Sequence, residues 1–448
     1  MSEPLPVRTI GTADFGSCIR LTKIEFGYNL QRIDSAGLAS VGSSLIKNSD
    51  GLPEHAVISL SGCRALKYTG KRAFTSGSVE QLDIPAAVDT IENDAFVFAS
   101  YLKRIDVASA NPRFVSINGV LYDRDMTTLL CVPANYENQL FEFPKGIKHI
   151  GANAFFNCRN MREVVLPDDL ESMGDEAFYY CGIFRVNFPA TLTHLPINCF
   201  AYTALTDVVV PSTVTSMDGG VFSNCQSLVS AQLPDELPYV APGTFFNCVN
   251  LEKVNIPHDA EVVGYNSFNN CYKLTKVVIP NKVREIEYRA YGCNFNPYNH
   301  GTLDTLILGK SLTTIGSNAF VGQNMINYIK SYNTVPPVVD EEGAWTSTAH
   351  NKAMVCVPQQ SLQTYKSASI WSLFKNWSDF ILDVNGVSED NLQYRTSEGA
   401  IEFQGEGLIE VYSISGTCIY RGQATRVEVP AKGVYIIRAG GQTAKVIL

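Results

Sequence analysis

The residues able to do chemistry are plentiful, and their spacing decides what they can do. Six histidines, His55, His149, His194, His258, His300 and His350, are scattered along the chain. None falls in His-Glu-x-x-His or another ligand spacing. Twelve cysteines could hold zinc or supply a nucleophile, yet no Cys-x-x-Cys pair exists among them. Neither a Gly-x-Ser-x-Gly elbow nor a Gly-x-x-x-x-Gly-Lys phosphate loop occurs, and a Cys–His nucleophile would have to be assembled from distant parts of the chain. Asn376-Trp377-Ser378 matches a glycosylation sequon, a weak motif. The expectation is no catalytic residue, no metal and no cofactor.

Regularity appears in the cysteines instead. Cys158, Cys181, Cys225, Cys248 and Cys271 occupy equivalent places in a repeated phrase, and four of them follow Asn157, Asn224, Asn247 and Asn270. Free cysteine is among the most buried residue types, so these five read as a structural ladder of reduced thiols, with asparagine amides satisfying backbone groups in the turns.

The elements that carry this ladder repeat with it. Pro144, Pro167, Pro189, Pro211, Pro234, Pro257 and Pro280 follow one another at intervals of 23, 22, 22, 23, 23 and 23 residues. A fixed period in the low twenties marks a solenoid of leucine-rich coils. The unit is Leu-x-x-Val-x-Ile-Pro-x-x-Val-x-x-Ile-Gly-x-x-Ala-Phe-x-x-Cys, and Leu274, Val277, Ile279, Val283, Ile286 and Ala290 show it plainly. Val277-x-Ile279 alternates as a short strand with one face inward, and proline follows because it cannot donate to a ladder. Ala-Phe is expected to begin a short helical or 3₁₀ segment on the opposite side. The outward strand positions then include Arg104, Glu163, Arg185, Asp207, Lys253 and Lys276, a mixed polar strip proposed as a protein-docking face whose charges steer an acidic partner.

The Pro, Gly and Ala-Phe-x-x-Cys positions resemble the BspA-like (Treponema-type) leucine-rich repeats of bacterial surface proteins, over about Leu21 to Met325 and most specifically Phe141 to Ala290. The resemblance implies a right-handed solenoid with a parallel sheet on one, concave, side. It also implies a cell-surface or secreted protein, without catalytic residues, whose partner is a host or microbial surface or extracellular-matrix protein. An accessory glycan-binding role is the alternative, using the aromatics Phe156, Tyr179, Tyr180 and Phe246.

Taken in order, residues 1–20 read as an N-terminal cap and 21–325 as the solenoid. About 108–137 is an inserted β-hairpin built from Gly119–Asp123 and Thr127–Pro133. Asn294–Gly301 lengthens one coil, and Gln323 replaces the ladder cysteine where the stack ends. Residues 326–384, with Tyr365, Trp371, Phe374, Trp377 and Ile381, read as a C-terminal cap with an aromatic core, a carbohydrate platform being the other reading of that cluster. From 385 to 448 short strands with turns at Ser415-Gly416 and Gly440-Gly441 predict a small β-sandwich. Its Val411–Gly416 and Pro430–Ile437 runs resemble the C-terminal sorting domains of type IX secretion in Bacteroidetes-type bacteria, although Lys445-Val-Ile-Leu448 is less basic than their usual ending. The fold class is thus an α/β-type leucine-rich repeat solenoid followed by an all-β domain.

Composition narrows the partners. The net charge of −9 over 448 residues is not gathered into blocks, and no basic tract suggests nucleic acid. No run of 18 apolar residues predicts a membrane span. Met1-Ser-Glu-Pro-Leu-Pro lacks the features of a signal peptide; with the resemblance, the expectation is an exported chain whose export signal is absent from this sequence.

Overall fold

Each coil is too small to enclose a core, so the chain solves the problem by stacking. The structure is a computed structural model that describes residues 7–16, 18–43, 46–47, 53–294, 301–340, 342–380, 394–397, 399–403, 409–413, 418–430, 434–439 and 442–447. Contacts divide it into two units, Met1–Phe380 and Ile381–Leu448.

In the first unit most coils contribute to two parallel ladders. The front ladder uses the Val-x-Ile strand. It includes Gln81–Ile84 beside Arg104–Val107, Asp207–Val209 beside Ser230–Gln232 and Lys253–Val254, and Lys276–Val278 beside Thr305–Leu308. The second ladder, which the repeat template did not reveal, uses the Val-x-x-Ile position, as in Tyr239–Val240, Val262–Val263, Glu285–Ile286, Thr314–Ile315 and Val338–Val339. Gly174, in the Ile-Gly slot of this ladder, lies so close to the Ala152 backbone that a Cβ would collide with it.

The third side differs from the expected helical segment. The Ala-Phe stretch is a pair of turns, because residues four apart adopt left-handed backbone: Asn153 and Asn157, Asn198 and Tyr202, Asn266 and Asn270. No helix accommodates that pattern, and asparagine tolerates it better than other side chains. Asparagine before four of the five ladder cysteines therefore suits its backbone angle, and Tyr180 takes the same left-handed angle before Cys181. Amides of these turns donate to the next coil, as Phe178 N does to Cys199 O at 2.8 Å and Phe245 N to Ser267 O at 2.8 Å.

The repeated Phe forms a spine. Phe155, Phe178, Phe200, Phe222, Phe245, Phe268, Tyr291, Phe320 and Trp345 stack in sequence, with centroids 4.6 to 6.0 Å apart. Stacked pairs contribute about 0.5–1.5 kcal/mol beyond burial. Trp371 and Phe374 pack against Trp345, and Tyr365 packs on Trp371. Trp371 is buried with its indole donating to Pro337 O at 2.9 Å, so this cluster is core and not an exposed carbohydrate platform. Around it lie the short helices Ser347–Lys352 and Leu362–Ser367.

The ladders outrun the expected limits at both ends. Thr9–Ile10 already pairs with Arg32–Ile33, and Tyr328–Ser331, Met354–Pro358 and Asn376–Phe380 add front rungs beyond residue 325.

The insertion is a hairpin with an added strand. Val120–Asp123 pairs antiparallel with Thr128–Cys131 as expected, and Phe114–Ile117 adds to its other edge. Thr128 and Leu129 then pair in parallel with His149 and Ile150, so the insertion supplies a rung of the second ladder. Its two faces meet two different cores. Leu121 and Cys131 belong to a cluster running from Ile10 to Ile105, while Val120, Tyr122 and Leu129 join the one that continues to Phe374. The inserted sheet is a septum across the solenoid.

The second unit contains two antiparallel sheets, Tyr394–Ser397, Ala400–Phe403 and Arg426–Glu428 in one, and Cys418–Gly422, Ile409–Ser413, Val434–Ala439 and Gln442–Ile447 in the other. Ile401, Val411, Val427, Ile437 and Val446 share one core, as in a small sandwich. The Tyr394 strand was not foreseen. The turns expected at Ser415-Gly416 and Gly440-Gly441, residue Ile381, and residues 295–300 with His300 lie outside the described residues.

Candidate functional site

The six outward residues expected to form a docking strip do share the outer side of the front ladder, because alternate strand residues face alternate ways. Their surroundings divide them. Arg104 clasps Asp106 through Nε and Nη2, both at 2.7 Å, and Arg185 pairs with Glu163 at 2.9 Å. Asp207 accepts from the Ser230 hydroxyl at 2.5 Å. Lys253 and Lys276 are exposed and, with Lys273 beside them, have no ion pair among the described residues. Between the charges stand exposed valines, Val165, Val209 and Val278, the second of them 65% exposed.

Two asparagines on the same face do backbone work. Asn187 bonds both the amide and the carbonyl of Leu166, at 3.0 and 3.3 Å. Asn255 does the same to Leu233, at 2.7 and 2.8 Å. Each side chain extends a strand too short to complete the ladder alone.

A groove of about 1060 Å³ opens on this face, lined by Lys253, Val254, Asn255, Lys276, Val278 and neighbours. A smaller groove of about 630 Å³ lies near Arg64, Asp83 and Asp106.

The ladder cysteines Cys158, Cys181, Cys225, Cys248 and Cys271 are buried free thiols. Cys225, Cys248 and Cys271 donate to the carbonyls of Phe200, Phe222 and Phe245 at 3.2, 3.1 and 3.2 Å. Burial pushes the Cys181 thiol up to about 12 and Cys225 to about 11, so neither offers a thiolate near neutrality. Among the described residues no three His, Cys, Asp or Glu side chains gather into a metal-holding group, and no helix is long and apolar enough to cross a membrane.

The parallel register assembles one constellation that the linear search missed. His194 Nδ1 lies 2.8 Å from Ser216 Oγ, and its Nε2 lies 3.1 Å from Asp218 Oδ2. These are the atoms of an acyl-transfer triad. They sit on an open sheet surface, outside both grooves, with the imidazole 44% exposed. His149 repeats the contact with Ser172 at 2.9 Å and with Glu171 at 4.0 Å. Recurrence two coils along marks a repeat-generated surface ladder, and the signal was available: His149 and Ser172, like His194 and Ser216, differ by one period.

The aromatics considered for glycan stacking are placed differently from one another. Phe156 is buried, and Tyr179, Tyr180 and Phe246 are half-buried. Tyr179 stacks on Phe156 at 5.3 Å and Tyr180 on Tyr202 at 4.3 Å, with Arg159 over Tyr180 at 5.1 Å. A sugar needs an open ring face, and Phe156, Tyr179 and Tyr180 each have a face taken by a neighbouring side chain. Asn376 of the sequon spends its amide on Asn351 O and Lys352 O, at 3.0 and 3.2 Å.

Comparison with known proteins matches these coils. The model of the BspA type leucine rich repeat region matches at residues 2–67, 57–118, 134–240 and 193–327. A leucine-rich repeat protein from Eubacterium ventriosum is 24% identical, with 70% of this chain and 80% of that one aligned at a TM-score of 0.50. A leucine-rich repeat protein from Bacteroides ovatus is 20% identical over 84% of this chain and 88% of its own, TM-score 0.48. A leucine rich cell surface protein from Faecalibacterium prausnitzii is 22% identical over 55% and 76%, TM-score 0.40. No match was found among the curated proteins. The matched segments together span well over half of the sequence, and the chain belongs to the BspA-type leucine-rich repeat family.

Proposed function

We propose that this protein is a non-enzymatic binding protein of the bacterial surface or surroundings, which docks a host or microbial surface or extracellular-matrix protein on the outer side of its front ladder. One observation carries the reading: Arg104, Glu163, Arg185, Asp207, Lys253 and Lys276 lie on one face together with the exposed Val165, Val209 and Val278. Charges interleaved with apolar side chains suit a protein partner, since the former steer association and the latter are buried on contact. The second unit, whose Val411 and Val434 strands carry the resemblance to sorting domains, is proposed to direct export.

The test is binding of the purified chain to a panel of extracellular-matrix and bacterial surface proteins, beside a glycan array. Saturable binding to a panel protein, slowed by R185E/K253E/K276E and weakened by salt, is the expected result. Binding to glycans with no protein ligand overturns it.

A further inference from the structure

The front ladder is interrupted between Lys253–Val254 and Lys276–Val278. The first strand ends a three-stranded sheet, and the second begins a five-stranded one. On neighbouring coils the bonding is regular: Glu252 N and Lys253 N donate to Val229 O at 2.9 and 3.2 Å, and Asp304 N and Thr305 N donate to Thr275 O at 2.9 and 3.1 Å. By the same pattern Thr275 and Lys276 would donate to Glu252 O. Among the described residues no hydrogen bond joins 252–257 to 275–280. The coils stay together elsewhere. Val262–Val263 pairs with Glu285–Ile286, and Phe268 stacks on Tyr291 at 4.9 Å. The opening is confined to the front, and the groove of about 1060 Å³ lies along it.

Strand residues alternate in which neighbour their backbone faces, so Lys276 and Val278 present amides and carbonyls toward the opening. Asn255 does not screen them, since its side chain is turned back to Leu233. Thr275, Lys276 and Val278 are exposed. An exposed strand edge is a template for another extended chain. The side chains say which kind. Lys253, Lys273 and Lys276, without ion pairs, gather at the end of the groove where the strands begin. Val254, Ile256 and Val278 line its middle, and the acidic groups at the groove are Glu252 and Asp235. Every other basic residue proposed for this face already has a carboxylate partner.

We propose that the opening between Lys253–Val254 and Lys276–Val278 is a docking slot for an extended segment of a partner protein, acidic at one end and β-branched in its middle, which takes backbone hydrogen bonds from the Thr275–Val278 edge and ion pairs from Lys253, Lys273 and Lys276. This rests on the protein-docking reading above and narrows it to one slot and one chemistry.

The probe is a fluorescein-labelled peptide, Glu-Asp-Val-Thr-Val-Thr-Val-Thr, with a Lys-Lys-Val-Thr-Val-Thr-Val-Thr control, followed by anisotropy and by amide hydrogen exchange of the whole chain. The acidic peptide is expected to bind and to slow exchange at Thr275, Lys276 and Val278, and the basic control to bind at least about tenfold more weakly. K253E/K276E should weaken binding at least about tenfold while leaving the fold intact, since exposed charges contribute little to stability. V278P removes an amide that faces the opening and should weaken binding without a change of charge. Binding of the acidic peptide that survives both variants, or that leaves those amides unprotected, overturns the proposal, as does absence of saturable binding up to about 1 mM. A panel protein whose binding is unaffected by K253E/K276E and V278P overturns the slot and leaves the protein-docking reading standing. Failure of every panel protein overturns that reading whatever the peptide does.

Discussion

The front ladder breaks after Arg104–Val107 as well as after Lys253–Val254, and the protein treats the two breaks in opposite ways. At the first, the inserted sheet steps in. Ile105 N donates to Gly119 O at 2.8 Å, Val107 N to Ser116 Oγ at 2.9 Å, and Asn135 N to Leu102 O at 2.9 Å. The strand that follows Gly119 buries Val120, Leu121 and Tyr122. At the second break no hydrogen bond among the described residues crosses the front, and the residues that flank it, Lys253, Lys276 and Val278, are exposed. A break further toward the N-terminus, between Val57–Ser59 and Gln81–Ile84, is spanned by side chains: Ser78 Oγ accepts from Ala56 N at 2.9 Å, and His55 reaches Glu80 at 3.4 Å. Buried polar groups must find partners, so an interruption is either filled from within or left where water or another chain can fill it. The insertion belongs to architecture. The opening at Lys253 is where the architecture is left unfinished.

The sharpest way to break this contrast is to remove the spine where the front is already open. Phe268 and Tyr291 join the coils on either side of the opening. Phe268→Ala should cost about 3–5 kcal/mol. It should cost more than Phe200→Ala, whose coil is also held by front bonds such as Thr206 N to Phe184 O at 3.1 Å. Urea denaturation of both variants decides it; equal losses would mean that the front bonds do not support the stack.

At the filled break the corresponding test is Leu121→Ala. Leu121 faces the N-terminal core, while Val120 and Tyr122 face the other. The loss should be about 2–5 kcal/mol, and hydrogen exchange should show it chiefly in the rungs from Arg32 to Arg104. A loss confined to the hairpin would make the insertion an appendage and not a septum.

Much of this was legible in the sequence, for a physical reason. Burial recurs once per coil, so the Leu, Phe and Cys columns declare the period, and the period declares the stack. Gly119-Val-Leu-Tyr-Asp showed the hairpin because alternation and a turn are local signals. What stayed hidden depends on contacts between coils. The second ladder uses strands of two residues, too short to leave a pattern. The helical reading of Ala-Phe failed because left-handed angles at Asn153 or Glu176 are set by stacking as much as by residue type. The open break left no trace at all: the Leu274 coil, the most regular in the template, contains the strand that lacks a partner on one side. The six outward residues were placed by alternation alone, which fixes a face. Whether a charge on that face is paired is decided by the next coil.

A smaller effect tests how deep the opening goes. Cys271 lies on the coil before it and Cys131 in the septum, and burial raises both thiols, Cys131 to about 12. Iodoacetamide at pH 8 should modify the exposed Cys418 and the half-buried Cys18 in native protein, leaving Cys131, Cys158, Cys248 and Cys271 intact. Reaction of Cys271 as fast as Cys418 would show the opening reaching the core. The same thiols set an alkaline limit. Unfolded cysteine ionises near pH 8.5, whereas the buried thiols keep their protons to far higher pH. Stability from this source is intact below about pH 8.5 and falls as pH rises through 9 to 11, because only the unfolded chain releases protons there.

The smallest effect separates the two halves of the proposed docking face. Arg185 is paired with Glu163, so Arg185→Glu replaces an attraction with a like-charge contact. An exposed pair contributes about 0–1 kcal/mol, and the variant should lose an amount in that range, shrinking as salt screens the contact. Lys276 has no such partner, so Lys276→Glu should change stability by no more than about 0.5 kcal/mol at any salt concentration. Binding should order the two variants the other way, with Lys276→Glu the more damaging for an acidic extended segment. A larger stability loss in Lys276→Glu than in Arg185→Glu would mean that the lysine is engaged within the free protein. The charge left over at the opening would then be part of the fold, as the charges at the filled break are.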